Sequence, residues 1–257
     1  MARRRRTAQE RTAQERTAQE RTAARSGWAV GVATALYGIS FGALATASGL
    51  DMWQACVLSL VMFSGGSQFA LIGILASGGV AAGSTAIASA ALLGVRNSFY
   101  ALRLSRIIGP GFWRRSAATQ LTIDESTAVA TAQTEPRAQR IGFWVTGLVV
   151  YLGWNLMTLA GALLGNLIGD VKAYGLDAAA AAAFLGLLWP RLKARQTQAV
   201  AVAAGFVATL LTPFLMPGLP VLAAAVVAIV FGILNLLGRG DDRPHPDPIP
   251  MEREVEP

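Results

Sequence analysis

The sequence predicts an all-α polytopic membrane protein with about six to eight transmembrane or half-membrane helices, and three features carry that expectation. Of the 257 residues, 53% are hydrophobic and only 14% are charged, whereas soluble domains carry about 25% charged residues. Apolar stretches at 28–47, 80–102, 141–168, 199–216 and 219–237, with a shorter one at 176–189, recur along the chain. Most of these are long enough to approach or cross a hydrocarbon layer of ~30 Å at ~1.5 Å per helical residue. Most basic residues stand just outside those stretches, where positive charge marks the cytoplasmic side of a membrane.

The net charge of +7 therefore reads as topology, with no nucleic-acid partner implied. Eight of the 22 basic residues lie in the first 25 positions. Cys56 is the single cysteine, so no intramolecular disulfide forms, and no cluster of metal ligands is evident; neither a metal nor a cofactor is expected. The one histidine, His245, falls in a Pro-rich stretch, which leaves the apolar body without a histidine-based catalytic constellation. A non-enzymatic role follows as the expectation.

Taken in order, residues 1–26 hold Arg3 to Arg6 and then Arg-Thr-Ala-Gln-Glu units beginning at Arg6, Arg11 and Arg16. A five-residue period gives a helix no apolar face to bury, so this segment reads as a disordered basic tail rather than a signal peptide. The transporter-like body is expected at 27–238. Its first span, Trp28 to Ala47, is rich in Gly31, Gly38, Gly42 and other small residues that let helices pack closely. A helix from about Val80 to Leu102 contains Arg96 and Asn97, and a polar connection at 103–140 carries six arginines. Residues 239–257 read as a disordered Pro-rich tail.

Met52 to Ala76 is a 25-residue apolar run interrupted by Phe63-Ser64-Gly65-Gly66-Ser67-Gln68-Phe69. In hydrocarbon, freed backbone polar groups are tolerated only against protein or a water-filled cavity, so the break predicts a buried site near mid-membrane. Charge sharpens its geometry. If the basic tail and the basic 103–140 connection are both cytoplasmic, segment 52–76 returns to the side it came from. A re-entrant hairpin with Ser64 to Gln68 at its tip satisfies that requirement. In the second half, Arg140, Arg191, Lys193, Arg195, Arg239 and Arg243 fall inside, while Asp170 and Asp177 fall outside, with Lys172 as the one dissenter. A weak echo between Tyr37-Gly38 … Gly49-Leu50-Asp51 and Tyr151-Leu152-Gly153 … Gly175-Leu176-Asp177 suggests two repeats.

Candidate substrate-binding residues are Ser64, Gly65, Gly66, Ser67 and Gln68 at the break, with Arg96 and its neighbour Asn97. An arginine about six residues inside a helix end costs a few kcal/mol unless it snorkels or is paired, and its guanidinium is shaped to fork onto a carboxylate. Asp124 and Glu125, in Leu121-Thr122-Ile123-Asp124-Glu125-Ser126-Thr127, are read either as a cap on a short helix through Ala132 or as proton-coupling carboxylates.

Phe63-Ser-Gly-Gly-Ser-Gln-Phe69-Ala, Arg96-Asn-Ser-Phe-Tyr-Ala-Leu-Arg103 and Thr122-Ile-Asp-Glu-Ser-Thr127, in that order, resemble the AzlC family of branched-chain amino acid permeases. Tyr37-Gly-Ile-Ser-Phe-Gly42 resembles that family's first helix, and the similarity spans roughly 28–238. The resemblance implies an exporter of leucine, isoleucine, valine and methionine in a bacterial inner membrane, driven by the proton-motive force and working with a small AzlD-type membrane subunit. Gly66 and Ser67 stand where the family usually has alanines. Carriage of another small solute, or a non-transporting scaffold for a partner subunit, are the alternatives.

Overall fold

The computed structural model describes residues 2–168, 185–186, 188–189 and 192–234, and its described residues form nine α-helices and no strand. The helices are α1 (Ala2–Ala47), α2 (Met52–Val61), α3 (Gly65–Gly78), α4 (Gly83–Ile108), α5 (Phe112–Gln120), α6 (Asp124–Thr131), α7 (Pro136–Ile168), α8 (Arg195–Leu211) and α9 (Leu219–Leu234). Stretches Gln14–Ala47 and Pro136–Gly165 are long and apolar enough to cross a membrane. The expected 176–189 span and the 239–257 tail lie largely or wholly outside the described residues, as does the second copy of the Gly-Leu-Asp echo.

The amino terminus is helical in the structure. The repeats expected to be disordered are continuous with α1, which runs 46 residues. Ala, Gln, Glu and Arg are all strong helix formers, so local propensity suffices where no apolar face is available. Residues 14–19 are exposed, and the helix meets the bundle at the buried Ala23 and through an ion pair from Glu20 Oε1 to Arg137 Nε at 3.2 Å.

The core of the bundle is the parallel pair α1 and α7. Gly31 lies against Val149, Gly38 against Trp154, Gly42 against Thr158 and Gly165 against Ala43 and Thr46. Both partners advance together along their sequences, so the two helices point the same way. Their small residues bring the backbones into close approach, the arrangement that favours association when lipid removes the hydrophobic drive between helices. Helix α4 runs the opposite way, since Arg140 Nε near the start of α7 donates to Ile107 O at the end of α4 at 2.8 Å. Arg114 and Arg115 donate to Ile108 O and Gly109 O at 3.1 Å each, so three arginines cap the carbonyl end of α4, where the helix dipole favours positive charge.

Between α1 and α4 the chain enters and leaves the same end of the bundle. Helix α2 starts from a capping box in which Asp51 Oδ1 accepts from Gln54 N at 2.8 Å and Gln54 Oε1 accepts from Asp51 N at 2.9 Å. It ends at mid-height, where Ser59 Oγ and Thr158 Oγ1 are 3.3 Å apart. Helix α3 then returns along α4 and ends at Gly79, whose φ of 59° is a left-handed conformation that favours glycine. At 10 and 14 residues the two helices extend about 15 and 21 Å, and neither crosses ~30 Å alone. The re-entrant path is as expected in its ends, but α2 packs on α7 while α3 packs on α4, so the arms open as a V.

Residues 103–140 hold more structure than their composition suggests. Instead of a polar connection, they contain the end of α4 and then α5 and α6, which enter the bundle from its arginine-rich end. Ala118 and Leu121 pack with Leu104, Ile108, Ala130 and Phe143, and Ile123 joins the cluster of Phe41, Phe63 and Trp154. Leu121 fits against Gly147 and Val129 against Gly142, where missing side chains on α7 make room. The six arginines of the segment mask this apolar tip in any count of composition.

Candidate functional site

The site forms where the tip of α2–α3 meets the tip of α5–α6. Breaking a helix at mid-height leaves terminal carbonyls without intrahelical partners, and in a membrane they need substitutes. Side chains from three elements supply them. Gln68 Nε2 donates to Met62 O at 2.7 Å, Gln120 Nε2 to Leu60 O at 2.8 Å, and Tyr151 Oη to the same Leu60 O at 3.3 Å. A longer contact of 3.5 Å joins Gln68 Nε2 to Ser59 O. The other end of the Gln68 amide accepts from Trp154 Nε1 at 2.9 Å, which ties the break to α7.

On the α3 side, the amino terminus is left open. Ser64 makes no side-chain cap, so the first amide groups of α3, at Gly65 and Gly66, keep donor capacity that the helix does not use. Those residues line a cavity of about 350 Å³. Its polar part also includes Thr34, Tyr37, Arg96, Asp124 and Glu125, and its apolar part includes Phe63, Phe69, Ile123, Val150 and Trp154. A volume in this range, apolar with a few convergent polar groups, suits a small organic ligand.

Arg96 Nη2 lies 3.1 Å from Asp124 Oδ2, each side chain about a quarter exposed. Asp124 and Glu125 occupy the first turn of α6, where the helix dipole favours negative charge. The short helix read from the sequence is therefore present, with Ile123 rather than Asp124 at its cap. Ser126 Oγ accepts from Ile123 N at 3.1 Å and fixes the turn that presents the two carboxylates. Gly66 is close to the pair: a Cβ there would stand 2.8 Å from Arg96 Nη2.

Of the nine residues singled out from sequence, six line this cavity: Ser64, Gly65, Gly66, Arg96, Asp124 and Glu125. Ser67 is buried, with its Oγ near Gly94 of α4 and no hydrogen-bond partner among the described residues. Gln68 is fully buried and its amide is committed to Met62 and Trp154. Asn97 is half-buried beside the site and contributes nothing to the lining. Sequence reasoning missed Tyr37 as a wall residue and Trp154 altogether. Trp154 had one available signal, a large aromatic within an apolar span, which by itself does not separate packing from a binding wall.

A family model described as AzlC protein matches residues 29–168, more than half of the chain. The chain belongs to the AzlC family. Every cavity residue from Thr34 to Trp154 falls inside the matched segment, and only Gly186 and Leu188 lie beyond it. No curated protein and no solved structure matches the chain. AzlC membership and the two long apolar helices make this a membrane protein of a transport-associated family.

Proposed function

We propose that this AzlC family member is the large subunit of a secondary carrier exporting branched-chain amino acids, chiefly leucine, isoleucine and valine, with methionine at the edge of its range. The carrier sits in the bacterial inner membrane with both termini cytoplasmic, works with a small AzlD-type membrane subunit, and is driven by the proton-motive force. Its transport body is residues 27–238, with the arginine-rich end of the bundle on the cytoplasmic side.

The single observation behind this reading is the juxtaposition of Gly66 and Arg96 at one end of the cavity and an aromatic wall at the other. A zwitterion with an apolar side chain matches both. Its carboxylate would rest on the open amide groups of Gly65 and Gly66, with Ser64 beside them, and on the Arg96 guanidinium. Half-helix amino termini facing an anionic group near mid-membrane are a recurring device in secondary carriers. Asp124 is the resting counter-ion of Arg96, and with Glu125 it is the group whose protonation would couple substrate movement to the proton gradient. Ser67, Gln68 and Asn97 support the site from behind and do not touch the ligand.

Leucine efflux from proteoliposomes containing both subunits tests the reading, with R96A and D124N beside the wild type. Efflux that depends on an imposed proton gradient and falls at least tenfold in R96A, at equal protein levels, is the expected result. Undiminished efflux in R96A would remove the carboxylate site. No efflux in any sample, with the two subunits still co-purifying, would favour a scaffold.

A further inference from the structure

Consecutive glycines at the start of α3 face two different walls of the cavity. A Cβ on Gly66 would meet Arg96 Nη2 at 2.8 Å, whereas a Cβ on Gly65 would meet Trp154 Cη2 at 3.2 Å. Neighbouring Cα atoms are about 3.8 Å apart, comparable with the separation between the carboxylate and the side chain of one α-amino acid. A ligand anchored at Arg96 would thus direct its side chain toward the indole of Trp154.

That indole is held by three contacts. Its Nε1 donates to Gln68 Oε1 at 2.9 Å, Phe41 stacks on it with centroids 6.2 Å apart and planes at 28°, and Phe69 meets it edge-on at 6.2 Å. Only 4% of Trp154 is exposed, so it has little room to move aside for a larger ligand. Gln68 cannot readily turn away either, because its Nε2 is anchored on Met62 O at 2.7 Å. Packed interiors resist displacement of a locked ring, so a wall built this way excludes by size.

We propose that Trp154 sets the upper limit on the side chain this site accepts, and that Gln68 is the positioning residue that fixes the indole in that role. The inference rests on the reading of the cavity as an amino acid site. Trp154 bounds the apolar end, Gly65 stands so close to the ring that even a Cβ there would be 3.2 Å from it, and the Gln68 amide fixes the distance between the two. Removing the indole admits larger side chains, and adding a methyl at Gly65 excludes some that now fit. The two changes act in opposite directions on one quantity, which general loss of structure would not do.

The test is displacement of radiolabelled leucine from the purified full-length chain, with its small subunit, by unlabelled valine, leucine and phenylalanine. For W154L, phenylalanine is expected to gain about tenfold relative to leucine, the scale on which hydrophobic pockets discriminate by size. For G65A, valine is expected to gain on leucine by several-fold. Q68A should move the phenylalanine ratio in the same sense as W154L but less, as the indole is retained and merely released. If W154L does not yield monodisperse protein, W154F is read on the same ratio, since it keeps an aromatic ring and loses the second ring and the N–H.

Ratios that stay at the wild-type values in the tryptophan and glycine variants, with leucine still bound and leucine binding still lost in R96A, would overturn the inference and leave the amino acid site standing. Absence of leucine binding in the wild-type complex would instead refute the site reading, and this inference with it.

Discussion

Arg96 Nη2 and Asp124 Oδ2, 3.1 Å apart, join α4 to the tip of α5–α6 across the cavity. Both groups are mostly withdrawn from water, so removing either takes from its partner a charge-assisted contact that solvent replaces poorly. We expect R96A and D124N each to destabilise the protein by roughly 1–3 kcal/mol, and the double variant by clearly less than the sum, because both single changes lose the same ion pair. Thermal unfolding of the four proteins in one detergent gives the coupling. Strict additivity would mean that the pair contributes no interaction.

Gln68 offers a sharper contrast because its amide donates on one side and accepts on the other. Q68A loses the bonds to Met62 O and Trp154 Nε1; Met62 O keeps Ser64 N as a donor at 2.8 Å, whereas the buried indole N–H is left without its partner. A loss of about 2–4 kcal/mol is expected. Q68E keeps an acceptor for Trp154 but brings a carboxylate against Met62 O, so it should be no better than Q68A near neutral pH. A thermal melt in which Q68E matched the wild type would show that the Met62 contact is dispensable.

Much of this was legible in the sequence because the residues concerned are costly in a membrane. A Gly-Gly pair followed by glutamine marks a helix break, and Arg96 demands a partner; both readings located six of the cavity residues. The division of labour between Ser64 to Gly66 and Gln68 was not legible, since a glutamine amide serves a ligand and a stranded carbonyl equally well. Nor was the insertion of α5–α6. Arg114, Arg115 and Arg140 suggested a solvated connection, whereas they close the carbonyl end of α4 around a short apolar tip. Trp154 escaped notice because its role depends on Gln68, 86 residues away in sequence.

The V-shaped path of α2–α3 and the opposite entry of α5–α6 make a labelling prediction. In a Cys56→Ala background, a cysteine at Ser77 should react with an impermeant maleimide from the periplasmic side only, and one at Ser116 from the cytoplasmic side only. Both positions are exposed, unlike the buried Ala118 nearby, so a failure to label would not be ambiguous with burial. Labelling of both from one side would contradict the two opposed re-entrant elements.

The α1–α7 contact sets the frame on which both tips are hung, and its glycines have no room for a side chain where those of α8 and α9 do. A Cβ on Gly42 would collide with Thr158 O, and one on Gly161 with Ile39 O, in each case a backbone atom that no rotamer change can move. Gly205 in α8 and Gly232 in α9 have open space around the same position. G42A and G161A should therefore separate the parallel helices and cost about 1–3 kcal/mol or more, the range for overpacking a well-filled interface. G205A and G232A should be neutral or gain up to ~1 kcal/mol from helix propensity alone. The ranking is measurable by thermal unfolding of the four single variants. The loss in G42A should carry a functional signature as well, because Thr158 is one turn beyond Trp154 and is paired with Ser59 at 3.3 Å beside the break. Displacing α7 there would loosen the Trp154–Gln68 bond, so G42A is expected to weaken leucine binding while G205A leaves it unchanged.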